Sequence, residues 1–215
     1  MIHEIGKTNS IFNQYIGEIR DEIIQKDPLR FRKNLERIGE ILGYEISKTF
    51  TYEPQEIKTP LGVANVNLVT EQPVIASILR AGLTMHTGLL TIFDRAENAF
   101  ISAYRRSTGT DEFDVQVEYK ACPDLNGKTL IIADPMLATG QSMALVFEAL
   151  LKNGTPKKIH IAAAIGSRSA VDMLAKNLPI STDIWVGAID NNLNAKSYII
   201  PGLGDAGDLA FGEKL

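Results

Sequence analysis

Residues 130–152 read as strand, loop and helix in direct succession, and few folds accommodate that junction. The apolar run Leu130-Ile-Ile-Ala ends in Asp134. A loop of small and hydroxyl-bearing residues follows, Pro135-Met136-Leu137-Ala138-Thr139-Gly140-Gln141-Ser142, and Met143 to Lys152 has helical spacing. Such a loop presents backbone N–H groups that lack intrahelical partners, and the helix dipole adds partial positive charge, so the place suits a phosphate. Thr139 and Ser142 can add hydroxyl donors, and Gly140 admits a close backbone approach to a ligand. Asp134 stands at the carboxyl end of the strand, where open α/β sheets bind ligands. The same residues also suit a plain capped helix start. The loop lacks the Gly-Lys-Ser/Thr of a P-loop and the Gly-x-Gly-x-x-Gly of a dinucleotide fold.

Strand and helix patterns alternate along much of the chain. Candidate strands lie at 62–69, 73–79, 98–104, 129–133, 158–165 and 182–186, with helices at 82–93 and 168–177 between them. This predicts an α/β fold, a mostly parallel twisted sheet with helices on both faces. Residues 105–120 are polar with alternating Phe113, Val115, Val117 and Tyr119, which predicts a projecting β-hairpin. Ile11, Phe12, Tyr15, Ile16, Ile19 and Ile23, then Phe31, Leu35, Ile38, Leu42 and Ile46, recur at helical spacing. Residues 1–50 are therefore read as N-terminal helices, a packing or oligomer element. Residues 187–215 are rich in Gly, Asn and Asp with little regular pattern, and so long an irregular segment is more often functional than idle. The expectation is one domain over 1–215.

At 215 residues the chain can bury a sizeable core, and its single cysteine, Cys122, excludes an internal disulfide or a cysteine zinc cluster. A net charge of −4 argues against nucleic acid as a partner. No apolar run of about 18 residues predicts a membrane span, and the N-terminus lacks a signal pattern, so a cytoplasmic location is expected.

Four segments should meet at one sheet edge. In Ser77-Ile-Leu-Arg80-Ala-Gly82 a strand turns into a helix, and Arg80 can offer a forked, permanently charged donor. Tyr104-Arg105-Arg106 ends the next strand and suits a polyanion or a solvated face. The Asp134 loop is the third segment. In the fourth, Tyr198-Ile-Ile-Pro-Gly-Leu-Gly-Asp-Ala-Gly-Asp208, three glycines and a proline shape a backbone whose N–H and C=O groups could match a nucleobase edge.

Taken together, Ile78-Leu-Arg80-Ala-Gly82, Asp134-Pro-Met-Leu-Ala-Thr-Gly140 and Tyr198 to Asp208-x-x-Phe211-Gly212 resemble the uracil phosphoribosyltransferases of the type I phosphoribosyltransferase group. The third motif is the most specific of the three. The resemblance implies transfer of a 5-phosphoribosyl group from 5-phosphoribosyl 1-diphosphate to N1 of uracil, giving UMP and diphosphate in pyrimidine salvage. It implies that Arg80 and Arg105 bind diphosphate, that Asp134 holds the ribose hydroxyls, and that residues 138–142 cradle the 5′-phosphate. The donor would thus meet Arg80, Arg105, Asp134 to Ser142, and Asp205. Uracil would meet the backbone at Ile199, Gly204, Asp205 and Ala206. Asp134, Arg105 and Asp205 are the implied catalytic set. Mg²⁺ is implied as cofactor, held mainly through substrate and water, with Asp205 facing the donor directly or through the metal.

The family further implies a homodimer or higher homo-oligomer and a GTP effector in some members, with no membrane or nucleic-acid partner. Gln141 stands where many members have a second glycine, and the hairpin at 107–119 matches poorly. Three alternatives stay open: a phosphoribosyltransferase for another base, a pyrimidine-sensing RNA-binding regulator on the same fold, and an inactive interaction protein.

Overall fold

The structure is a computed structural model that describes residues 1–107, 113–179 and 181–214, with side chains described outside 103–118. The chain opens with strand β1 (Ile2–Glu4), followed by helices α1 (Ile11–Arg20) and α2 (Pro28–Ser47). Ser10 accepts from the Phe12 N–H at 3.2 Å while Asn13 accepts from the Ser10 N–H at 3.0 Å, a reciprocal cap that starts α1. Asp27 caps α2 by accepting from Leu29 and Arg30, with Pro28 at the first helical position. The expected first helix stops short of Ile23, which lies exposed just ahead of a 3₁₀ turn at Ile24–Lys26 rather than on the stripe.

Strands β2 (Tyr52–Thr59) and β3 (Gly62–Val69) form a separate antiparallel hairpin, and β2 was not expected from the sequence. The main sheet follows with β4 (Val74–Leu79), helix α3 (Gly82–Ile92), β5 (Glu97–Ser107), β6 (Phe113–Ala121) and β7 (Thr129–Ala133). Next come β8 (Met136–Leu137), helix α4 (Gln141–Leu151), β9 (Lys158–Ser167), helix α5 (Arg168–Asn177) and β10 (Thr182–Asp190). Strands β11 (Asn192–Leu193) and β12 (Ile199–Ile200) pair with each other, and the short helix α6 (Ala206–Phe211) follows. Regular structure therefore runs through the segment expected to be irregular.

The sheet order is β1-β10-β9-β7-β4-β5-β6. Every neighbouring pair is parallel except β5 with β6, so the fold is the mostly parallel α/β sheet that the alternating pattern predicts. The expected projecting hairpin corresponds to β5 and β6; its tip, residues 108–112, lies outside the described residues.

Alternation divides the strand side chains between two cores. Ile75, Ile131 and Ala133 join Phe12, Ile19, Phe31, Leu35, Met85 and Leu89 beneath α1–α3. Val74, Ala76, Ile78, Leu130 and Ile132 join Met143, Val146 and Leu174 beneath α4 and α5. Most of the α1 and α2 stripe residues, Phe12, Ile16 and Ile19 with Phe31, Leu35, Ile38, Leu42 and Ile46, lie in the chain's own core, while Ile11 is exposed.

Strand β4 lies between β5 and β7, so the chain builds the sheet first to one side of β4 and then to the other. Open α/β sheets hold ligands outside the carboxyl ends of the strands at such a switch. Arg80 follows β4 and Asp134 follows β7.

Candidate active site

The turn from β4 into α3 packs directly on the end of β7. A Cβ at Gly82 would fall 2.6 Å from the Ala133 carbonyl oxygen and 2.8 Å from Ser77 Oγ, so only glycine allows that approach. The Leu79–Arg80 peptide bond is cis. Arg80 Nη2 donates to Asp208 Oδ1 at 2.7 Å and Nη1 to the Gly212 carbonyl at 3.1 Å. The guanidinium is about a third exposed and spans the mouth of the cleft to the C-terminal segment.

The Asp134 loop is held from beneath by β9. Asp134 N–H donates to the Ala162 carbonyl at 3.1 Å, and β8 pairs with β9 so that Leu137 turns into the core. Ser167 Oγ donates to the Ala138 carbonyl at 2.6 Å and accepts from the Ala170 N–H at 3.0 Å, tying the loop to the start of α5. Gly140 has φ +78, a left-handed conformation that favours glycine, and α4 begins at the next residue. Asp134 Oδ1 accepts from the Met136 N–H at a long 3.4 Å. Burial pushes its carboxyl up to about 7, the weak backbone hydrogen bond opposes that, and the nearby Asp205 carboxylate adds to it.

The C-terminal segment closes the third side. Asn194 Oδ1 accepts from the N–H groups of Lys196 and Tyr198, shaping the β11–β12 turn. Gly204 follows with φ +95, and Asp205 starts α6 by accepting from the Asp208 N–H at 3.0 Å.

These three segments surround a cleft of about 510 Å³. Arg80, Asp134, Met136, Ala138, Ser142, Gly204, Asp205 and Ala206, all singled out from sequence, line it. Pro135, Leu137, Thr139, Gly140, Gln141 and Ile199 do not: Leu137 and Ile199 are buried in the core, and Gln141 is exposed at the start of α4. Backbone from residue 199 could still serve a ligand, since the side chain is what the core takes. Arg105 lies on the β5 backbone, and its side chain is outside the described residues.

Tyr198, which opens the fourth segment, also lines the cleft, and Lys196, Ser197 and Lys214 line it without having been foreseen. The turn-rich Asn191-Asn192-Leu193-Asn194 was the available signal for Lys196 and Ser197. Ser167 carried only a helix-cap signal in sequence, and its hold on the Ala138 carbonyl depends on packing across the sheet edge.

The cleft therefore sets cationic groups beside two carboxylates and a loop of backbone amides. That is a fit for a phosphorylated sugar: hydroxyls to the carboxylate, phosphate to the amides, further phosphate to the cations. Asp134 and Asp205 also offer oxygen ligands to a hard cation, although the described residues hold no group of three or more His, Cys, Asp or Glu that could bind a metal alone.

A family model described as uracil phosphoribosyltransferase matches residues 8–213. A uracil phosphoribosyltransferase of Porphyromonas gingivalis is 52% identical over 215 residues, covering 100% of this chain and 99% of that one. A solved protein structure from Aquifex aeolicus superposes with a TM-score of 0.87 at 31% identity, covering 99% of this chain and 98% of that one. A hypoxanthine phosphoribosyltransferase structure from Staphylococcus aureus has a TM-score of 0.52 at 17% identity over 75% of this chain and 76% of that one, a likeness of fold alone.

Proposed function

Because the chain belongs to the uracil phosphoribosyltransferase family, we propose a division of labour within the cleft for that family's reaction. The enzyme transfers the 5-phosphoribosyl group from 5-phosphoribosyl 1-diphosphate to N1 of uracil, a step of pyrimidine salvage. In our reading the 5′-phosphate sits on the amides of residues 138–142 with help from Thr139, and the ribose hydroxyls donate to Asp134. Arg80 and Arg105 take the diphosphate. What supports this reading is that the Arg80 turn, the Asp134 loop and the 204–207 turn line one cleft at the topological switch.

The transition state carries positive charge on the ribose and negative charge on the departing diphosphate. Fixed cations aimed at the leaving group therefore lower the barrier more than they strengthen donor binding. Mg²⁺, bound with the donor, would neutralise diphosphate charge, and Asp205 would hold it directly or through water. Uracil differs from cytosine at position 4 and in the N3 proton. A backbone N–H toward O4 and a C=O toward N3–H, supplied by Ile199 and the Gly204-Asp205-Ala206 turn, would leave polar groups unpaired with cytosine.

A second copy of the chain is the partner we propose. A two-stranded hairpin is marginally stable alone. Every residue of β2 is exposed, and Ile57, Val66 and Leu68 fall on one face of the β2–β3 pair with Leu61 fully exposed at its turn. That hairpin is the surface a second copy would cover.

No described helix is long and apolar enough to cross a membrane. We place the enzyme in the cytoplasm, in keeping with its one free thiol, Cys122.

Incubation with donor, Mg²⁺ and each base in turn tests the reading. Uracil should release diphosphate and yield UMP, and cytosine should do so at least a hundredfold more slowly. Comparable turnover of the two bases would overturn the assignment of the 199–206 backbone. Asp134→Ala and Arg105→Ala should each lower turnover at least tenfold, and wild-type rates would remove that residue from the site. A GTP effector rests on the family resemblance alone, and adding GTP to the same assay tests it.

A further inference from the structure

We propose that Arg20, assisted by Gln25, is the positioning residue for the base-binding loop, and that α1 serves base recognition without touching the base. This inference rests on the reading that the backbone of residues 199–206 receives uracil. Arg20 ends α1 and donates to both carboxylate oxygens of Asp190, Nη1 to Oδ2 at 2.9 Å and Nη2 to Oδ1 at 3.0 Å. Its Nη1 also donates to the Gly202 carbonyl at 3.2 Å, while the Gly202 N–H donates back to Asp190 Oδ2 at 3.1 Å. Both backbone groups of Gly202 are thus held by one ion pair.

Gly202 has φ +59, and a Cβ there would fall 2.1 Å from the Ile199 carbonyl oxygen, so the turn closes tightly on the start of the loop. With its amide oriented to donate, Gln25 reaches the Leu203 carbonyl at 2.7 Å and the Ile19 carbonyl at 3.1 Å. Further along, Arg32 Nη1 donates to the Ala210 carbonyl at 2.8 Å. The N-terminal helical element therefore grips the C-terminal segment at carbonyls 202, 203 and 210, on either side of Gly204-Asp205-Ala206.

None of Arg20, Gln25 and Asp190 lines the cleft. Their effect on a base must pass through the loop. A hydrogen-bonding edge discriminates bases only if its N–H and C=O groups are fixed to a fraction of an ångström, which requires supporting groups that are themselves locked. The forked pair supplies that: Asp190 is buried, Arg20 is largely so, and a planar guanidinium holds two oxygens in one geometry.

The test is steady-state kinetics on Arg20→Met and Arg20→Lys. Arg20→Met should raise the KM for uracil at least tenfold, while the KM for the phosphoribosyl donor, which meets this loop only through Asp205, rises no more than about threefold. The preference for uracil over cytosine should fall at least threefold. Arg20→Lys keeps the charge but loses the fork, and its uracil KM should lie between those of wild type and Arg20→Met. A uracil KM within twofold of wild type in both variants would overturn the inference. So would equal rises in both KM values, the mark of general loosening. If Arg20→Met does not fold, Arg20→Lys is judged by the same split between the two KM values. Wild-type enzyme without uracil-dependent diphosphate release would overturn the base-site reading and this inference with it, whereas active wild type with unchanged variants overturns the inference alone.

Discussion

Replacing Asp134 by Asn should cost activity and gain stability, with a pH dependence that identifies the cause. Burial raises the Asp134 carboxyl from 3.8 to about 7. Its folded-state pKa lies above its unfolded value, so the folded state binds more protons between those limits. The carboxyl is neutral in both states below about pH 4 and contributes nothing there. Between about pH 4 and pH 7 it ionises only when the chain unfolds, so stability falls as pH rises; above about pH 7 it is ionised in both states and the penalty is constant. At about 1.4 kcal/mol per pKa unit, the full penalty is about 4 kcal/mol, and water in the open cleft reduces it to roughly half.

Asn is nearly isosteric, keeps an acceptor for the Met136 N–H and does not ionise. For a chain of this size, ~2 kcal/mol corresponds to a rise in Tm of roughly 4–8 °C. Thermal unfolding of both proteins from pH 4 to pH 8, free of ligand, is the assay. The Tm advantage of Asp134→Asn should be near zero at pH 4, widen up to pH 7 and then level off, while kcat/KM at pH 8 falls at least tenfold. A gap independent of pH, or a wild type more stable than the variant above pH 7, would refute the reasoning.

The remaining predictions probe other parts of the account. Gly82→Ala forces a methyl against the Ala133 carbonyl oxygen, so kcat/KM should fall at least a hundredfold while far-ultraviolet circular dichroism stays unchanged; wild-type kinetics would mean that the Arg80 turn and the Asp134 loop need not be in register. Val66→Asp combined with Leu68→Asp alters only residues exposed in the single chain, so each chain should still fold while sedimentation reports a lower mass. An unchanged mass, or a monomeric wild type, would exclude the β2–β3 hairpin as the contact. Leu35→Ala removes a fully buried side chain at the centre of the α1–α3 core, and urea unfolding should register a loss of about 2–5 kcal/mol. A loss below about 1 kcal/mol would show that the core there can collapse around the cavity.

How much of this was legible in sequence varied with the physical origin of each element. Strands β4 and β7 were plain because both faces are buried, which leaves the apolar run Val74 to Leu79, broken only by the buried Ser77, and the continuous run Leu130 to Ala133. Strand β2 was invisible for the opposite reason. All its residues are exposed, Pro54, Glu53, Glu56 and Lys58 interrupt any period, and its pairing is with β3 alone. Helix α6 was hidden in a segment read as loop, although Asp205 ahead of Ala206-Gly-Asp208 is a capping signal.

For the site, the Arg80 turn, the Asp134 loop and the Gly204 turn could each be found because each carries its own local glycine or helix-start chemistry. Their partners could not. Arg80 meets Asp208, Ser167 meets Ala138, and Arg20 meets Asp190 only through the packing of the sheet and helices. A side chain whose role is to hold a distant backbone carbonyl leaves no mark on its neighbours in sequence.

The most direct test of the central claim is a crystal structure of the enzyme with UMP bound. The 5′-phosphate should rest on the amides of residues 138–142, the ribose hydroxyls on Asp134, and the pyrimidine edge on backbone between Ile199 and Ala206. UMP bound away from the 510 Å³ cleft, or bound within it with the phosphate on Arg80 and the base on the Asp134 loop, would contradict the account.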